Sequence, residues 1–272
     1  MNNNQKITLY PSNWLYNAGV IGFLRVLEFG SKLNDNIFDE SNIVVNREWI
    51  KESYDLIFKY HKEKFSIWGK NRRYPNYIQL KHKNFFEREF IPSLVNVVER
   101  PSAKICGWCG GFFLPDNILE NLRGTWTGRS SNGFERFMEQ REKFQAIHIS
   151  ELGGAITEMP NSFWNLNFSM PLCHLCSYLI IFHHLSFIKG EKNTEIFINT
   201  PHFYLTWDLN KFAEEILQKE YELRKLLGAS FIQWAIKRRT LLGAWTMMNI
   251  EVIIKKWHKE EKKYIIDYFD LP

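Results

Sequence analysis

The four cysteines of this chain form two pairs, Cys106-Gly107-Trp108-Cys109 and Cys173-His174-Leu175-Cys176. A C-x-x-C turn presents two sulfurs to one point, and two such turns complete the tetrahedron of thiolates that holds structural zinc. Gly110 and Gly111 follow the first pair and let the backbone aim amides at the sulfurs, while Pro171 opens the second knuckle. A four-sulfur shell leaves no position for water, so the expected Zn2+ is structural. The same ligands also suit an iron–sulfur cluster. Disulfides are disfavoured in a cytosolic chain, and a redox C-x-x-C would accompany a thioredoxin-like βαβ unit, which this sequence does not suggest. His174 is a possible substitute ligand, but its expected place is the knuckle surface.

The second candidate chemistry is binding to polyanions. The 272 residues carry a net charge of only +5, yet Lys64, Lys70, Arg72, Arg73, Lys81 and Lys83 fall in one window with no acidic residue. Trp68, Tyr74, Asn76 and Tyr77 are interleaved with them, and such aromatics and amides stack on or hydrogen-bond nucleotides. One-signed charge concentrated this way binds nucleic acid by releasing counterions; the plainer alternative is a solvated face. A loop over Gly124–Gly133 adds Arg129, Ser130 and Asn132 between glycines, a composition suited to close approach to a groove. Its plainer alternative is a surface loop in which Arg129 pairs with Glu135. A second basic cluster runs from Lys237 to Lys263 and is partly offset by Glu251, Glu260 and Glu261.

Catalytic signatures do not emerge. The sequence has no GxxxxGK[ST], GxGxxG, GxSxG or HExxH pattern. His183-His184 sits in an apolar segment and is expected to pack there, and the adjacent Glu214-Glu215 point to different helix faces. The expectation is a non-catalytic protein. Its longest apolar run, Tyr178–Ile188, is about half a membrane span. With a polar start at Met1–Lys6 in place of a signal peptide, a cytoplasmic chain with no membrane partner is expected.

The elements that must position these residues read as mixed helix and strand without regular alternation, an α+β class with an irregular fold and an inserted four-cysteine zinc knuckle. A strand is expected over Ile7–Tyr10, then a helix capped by Ser12 and stopped by Gly30. A second helix follows Asn46, residues 64–83 form the basic loop or hairpin, and a further helix spans Phe85–Val98. The helix carrying Phe134, Phe137 and Met138 is expected to include Phe144. Strands follow at Ala146–Ile149, Phe163–Phe168 and Glu195–Asn199. Helices are expected over Asp208–Leu227 and Phe231–Leu242, and a strand over Ala244–Lys255. Tyr264–Pro272 suits either an edge strand or a boundary from which a longer relative would continue. The expected organisation is an N-terminal α/β part (1–104), a zinc-binding insertion with both knuckles (105–180) and a C-terminal helix/strand part of the same core (181–272).

The first helix reads Ser12-Asn13-Trp14-Leu15-Tyr16-Asn17-Ala18-Gly19-Val20-Ile21-Gly22-Phe23. With the two widely spaced C-x-x-C pairs, it resembles the CXXC–CXXC large subunit of type I-B CRISPR interference complexes (Cascade), over roughly residues 7–180 by motif. The resemblance implies a non-catalytic nucleic-acid-binding subunit of antiviral defence. Such a subunit works with guide RNA and the other Cascade subunits. It recognises the protospacer-adjacent motif in double-stranded target DNA, sits at the handle end of the guide and helps recruit the helicase-nuclease. It also marks Asn13, Trp14, Asn17 and Gly19 as motif positions. For Asn13 and Asn17 the structural alternative is capping and bracing of the first helical turn.

Overall fold

A helix that is apolar on every face has to lie inside a protein, and the first helix is of this kind. In the computed structural model, which describes residues 6–33, 35–64, 85–95, 104–111, 113–126, 132–145, 169–190, 194–217, 250–260 and 263–271, helix α1 (Trp14–Phe29) is buried from Trp14 to Leu27. Around it lie helix α2 (Arg47–Lys64), the segment of helix α6 (His174–Leu179) continuing as a 3-10 turn over Ile180–Leu185, and helix α7 (Phe203–Leu217).

Asn13, not Ser12, is the cap of α1. Its Oδ1 accepts the amides of Leu15 and Tyr16, both at 3.1 Å, using the short acceptor reach that suits asparagine to this position. Asn17 is fully buried and fastens the preceding turn, accepting the Ser12 amide at 2.8 Å and donating to the Ser12 carbonyl at 3.0 Å. It also donates to Asn199 Oδ1 at 2.8 Å, and Asn199 donates in turn to Glu251 at 2.7 Å. One amide thus ties α1 to two strands. Asn17→Ala leaves these buried partners unpaired and is expected to lower stability by about 2–4 kcal/mol. Asn13→Ala removes only a cap, worth about 1 kcal/mol. Urea unfolding of the two variants tests the ranking, and equal midpoints would contradict it.

Strands β1 (Lys6–Leu9), β2 (Phe38–Asp39) and β3 (Asn42–Asn46) form a small antiparallel sheet in the order β1-β3-β2. Ile7 faces Val45 and Leu9 faces Ile43, so one side of the pair is apolar. Strands β6 (Ile188–Lys189), β7 (Thr194–Asn199), β8 (Ile250–His258) and β9 (Lys263–Leu271) form an antiparallel sheet in that order, with β9 at the edge as its apolar end segment suggests. In β7, Glu195–Asn199 are all buried, so both faces are covered. Two ion pairs, Arg25–Glu214 at 3.2 Å and Lys211–Glu28, hold α7 against α1.

Several elements differ from expectation. Phe144 belongs to strand β4 (Lys143–Gln145), which pairs with β5 (Ser169–Pro171), and not to helix α5 (Gly133–Arg141) before it. Helix α7 begins five residues early, at Phe203, because Thr200 and Thr206 bond across its first turn at 2.9 Å. The helix expected over Phe85–Val98 is interrupted: Phe86–Phe90 widens into a π-helical turn ahead of the short helix α3 (Ile91–Val95), whose Pro92 has no amide to donate. Lys64, the first residue of the expected basic loop 64–83, ends helix α2 instead. The rest of that window, the strands expected at 146–149 and 163–168 and the helix over 231–242 lie outside the described residues.

Candidate metal centre

The two cysteine pairs meet. All four Sγ atoms lie within 4.8 Å of one another, and Cys109 Sγ is 3.7 Å from Cys173 Sγ. A tetrahedral ion with bonds of about 2.3 Å spaces its sulfurs about 3.8 Å apart. The cysteines are free thiols, with Cys106, Cys173 and Cys176 buried and Cys109 half-buried.

Local backbone chemistry makes each knuckle. In the first, the Cys106 amide bonds the Gly111 carbonyl and the Gly110 amide bonds the Cys106 carbonyl, each at 3.0 Å. This reversal requires Gly110 at φ +66°, a conformation that disfavours side chains. It aims the Gly111 amide at Cys109 Sγ, 3.3 Å away. In the second, Cys173 caps α6, and its sulfur accepts the Cys176 amide at 3.4 Å. The knuckles are joined directly, since the Gly107 amide bonds the Pro171 carbonyl at 2.9 Å. A Cβ on Gly107 would stand 2.4 Å from Met170 Cγ, so a side chain there has to displace the Met170 side chain.

The electrostatics fit a cation. Hydrogen bonds from Cys109, Cys173 and Cys176 hold the Cys106 thiol far below its ordinary range. The Cys106 and Cys109 hydrogen bonds push Cys173 up, and burial pushes Cys176 up. Four thiolates gathered at one point need a cation to balance them. Cys106, Cys109, Cys173 and Cys176 are therefore the residues that would hold the ion.

His174 is neither a ligand nor on the surface. It is 1% exposed, its ring packs edge-on against Phe90 and Phe113, and its Nδ1 accepts the Leu114 amide at 3.3 Å. Its Nε2 lies 3.3 Å from Glu142 Oε1. Burial opposes ionisation of Glu142, but His174 and then Lys104 outweigh it and hold the carboxyl below its usual value. The sequence conceals this role because a histidine inside C-x-x-C reads as a ligand or a surface residue, and its partners lie far along the chain.

Of the motif residues of α1, Gly19 lies against the end of α6. Trp14 packs edge-on against Phe187. A Cβ on Gly19 would stand 2.8 Å from the Leu179 carbonyl oxygen, and one on Gly22 only 2.0 Å from that of Phe182. The glycines thus seat α1 directly on the backbone that follows the second knuckle. Tyr16, which the residue pattern does not single out, is fully buried among the cysteines and against Trp108.

Of the residues expected to touch nucleic acid, Lys70, Arg72, Arg73, Tyr77, Lys81, Lys83, Arg129 and Ser130 lie outside the described residues. Asn132 is exposed at the start of α5. Glu135 pairs with Arg123 of helix α4 (Asp116–Gly124) at 3.3 Å. Among the described residues no helix is long and apolar enough to cross a membrane. No family model, curated protein or solved structure matches the chain.

Proposed function

We propose that the chain is a non-catalytic, zinc-stabilised nucleic-acid-binding large subunit of a type I-B CRISPR Cascade, acting in the cytoplasm. In this reading the cysteine cluster holds one Zn2+, and the protein recognises the protospacer-adjacent motif in double-stranded DNA beside the handle end of the guide RNA. Base pairing then reads the remaining target, and the assembly recruits the helicase-nuclease. The observation that carries the reading is the union of its two sequence signatures: the Asn13–Gly22 helix lies directly against the second cysteine knuckle. Two features separate in the sequence form one structural unit. The basic window supplies the electrostatic side of the argument.

The test is reconstitution with guide RNA and partner subunits, followed by binding to duplexes that differ only in the short motif. The chain alone is expected to bind weakly and the assembly to discriminate. Tight binding by the isolated chain favours a zinc-knuckle DNA- or RNA-binding protein of another machine, such as transposition or RNA processing. Failure to join guide RNA and partner subunits removes the Cascade reading.

Within the assembly, replacing Lys70, Arg72, Arg73, Lys81 and Lys83 by Ala is expected to reduce the logarithmic salt slope of binding by about one unit for each phosphate no longer neutralised. An unchanged slope makes that window a solvated face. Arg129→Ala and Asn132→Ala are expected to relax motif discrimination by about 1–3 kcal/mol if their loop reads bases. Equal weakening on all targets assigns the loop to backbone contact.

A further inference from the structure

We infer that the hydroxyl of Tyr16 is the outer hydrogen-bond donor of the metal centre, directed at the Cys176 thiolate, and that α1 is therefore part of the metal site. The inference rests on metal occupancy of the cysteine cluster and goes beyond the Cascade reading, on which it does not depend.

Three independent features converge on this pair. First, α1 and the knuckle segment advance together along their contact, from Gly19 against Leu179 to Gly22 against Phe182. The same three-residue step backwards leads to Tyr16 on one side and Cys176 on the other, since positions three apart share a helix face. Second, the sulfurs are unequally supplied with donors. Cys109 takes the Gly111 amide, Cys173 takes the Cys176 amide, and the Cys109 amide supports Cys106. No amide donates to Cys176 among the described residues.

Third, Tyr16 Oη is buried without a hydrogen-bond partner. A buried orphan hydroxyl costs about 1–3 kcal/mol, so its retention needs an explanation. The ring is fully buried and packs against Trp108 and Phe203 with centroids 6.4 and 6.5 Å away. Burial raises the hydroxyl pKa most, and the neighbouring cysteines raise it further, Cys176 first among them. With an ion present Cys176 becomes a permanent thiolate, an acceptor in place of a thiol. The O–H group then has the partner it lacks.

Tyr16→Phe in the full-length chain isolates the hydroxyl, because it keeps the ring and its packing. Zn2+ affinity, measured by competition with a chromophoric chelator, is expected to fall about tenfold, within the range typical of groups that support metal ligands. In the Co2+-substituted chain the sulfur-to-metal charge-transfer band is expected to move to lower energy, because one thiolate loses a hydrogen bond. Tyr178→Phe is the control: its equally buried hydroxyl lies 2.8 Å from Ser53 Oγ and donates to the Ile50 carbonyl at 3.1 Å, away from the sulfurs. It should lower stability while leaving metal affinity and spectrum unchanged. Unchanged affinity and spectrum in Tyr16→Phe overturn the inference. So do equal shifts in both variants, or a wild-type chain that takes up neither metal.

Discussion

Stripping the metal from the purified chain with a strong chelator is expected to abolish its cooperative unfolding transition. Structural zinc contributes about 10–16 kcal/mol to folding in small sites at neutral pH, as much as the whole net stability of an ordinary domain, about 5–15 kcal/mol. Here three of the four sulfurs are buried, and the apo cluster crowds thiols that burial and mutual interaction keep from ionising together. The described direct links between the two cysteine segments are few, among them the Gly107–Pro171 backbone bond and the bond from the Leu114 amide to His174. Cys106→Ser and Cys176→Ser should therefore reduce soluble, folded protein more than any substitution of a surface lysine or arginine. Because the ligands are thiolates, acidification releases the ion and destabilises the fold in the same direction. Metal analysis should return one zinc per chain. Folded protein without zinc or iron sinks the prediction, and iron in place of zinc reassigns the site to a cluster.

Gly22→Ala is expected to be nearly as damaging, although it adds a single methyl group. That carbon would lie 2.0 Å from the Phe182 carbonyl oxygen and 2.8 Å from its carbon. The obstacle is backbone, so no rotamer change relieves it, and α1 must shift bodily to make room. Overpacking of a core costs about 1–3 kcal/mol when neighbours adjust. A buried helix displaced against all its neighbours should exceed that range. Gly19→Ala, whose Cβ would stop 2.8 Å from the Leu179 carbonyl, should be milder. Gly124→Ala meets nothing within 4 Å at the end of α4 and should be neutral or stabilising by about 0.5–1 kcal/mol. Urea midpoints of the three variants give the order directly, and a wild-type midpoint for Gly22→Ala would refute the close-approach account.

The glycines also show what the sequence can and cannot convey. The apolar run of α1 and its termination at Gly30 are visible without a structure, as is the cysteine quartet, because both are local or compositional signals. The partner of Gly22 is not local. Nothing near Gly22 indicates that Phe182 presses a carbonyl against it. Asn17 is ambiguous in sequence for a related reason: its bond to Ser12 is a local brace, whereas its bond to Asn199 joins distant strands. Phe144 reads as helical because the spacing of Phe134, Phe137 and Met138 continues through it, and only pairing with Met170 shows that the chain has become a strand. Tyr16 carries no signal of its own, since an aromatic within an apolar helix is ordinary until its hydroxyl is found without a partner. Asn42–Asn46, a short alternating run before α2, escapes sequence reasoning because its signal is brief and its pairing partner, β1, lies across a helix.

The burial of α1 on every face also sets a schedule for synthesis. Helix α2 follows α1 closely, but the other packing partners, residues 174–185 and 203–217, emerge from the ribosome long after it. At about 5–20 residues per second, this largely apolar helix waits on the order of ten to thirty seconds for the remaining surfaces that cover it. In the later part of that interval the first cysteine pair, once made, has no second pair to complete a metal shell. Nascent chains of this protein therefore carry a partly exposed, aggregation-prone segment longer than chains whose early helices are covered entirely by their immediate neighbours. Holding chaperones and slower production at low temperature should raise the yield of folded protein by protecting α1, without altering the stability of the finished fold.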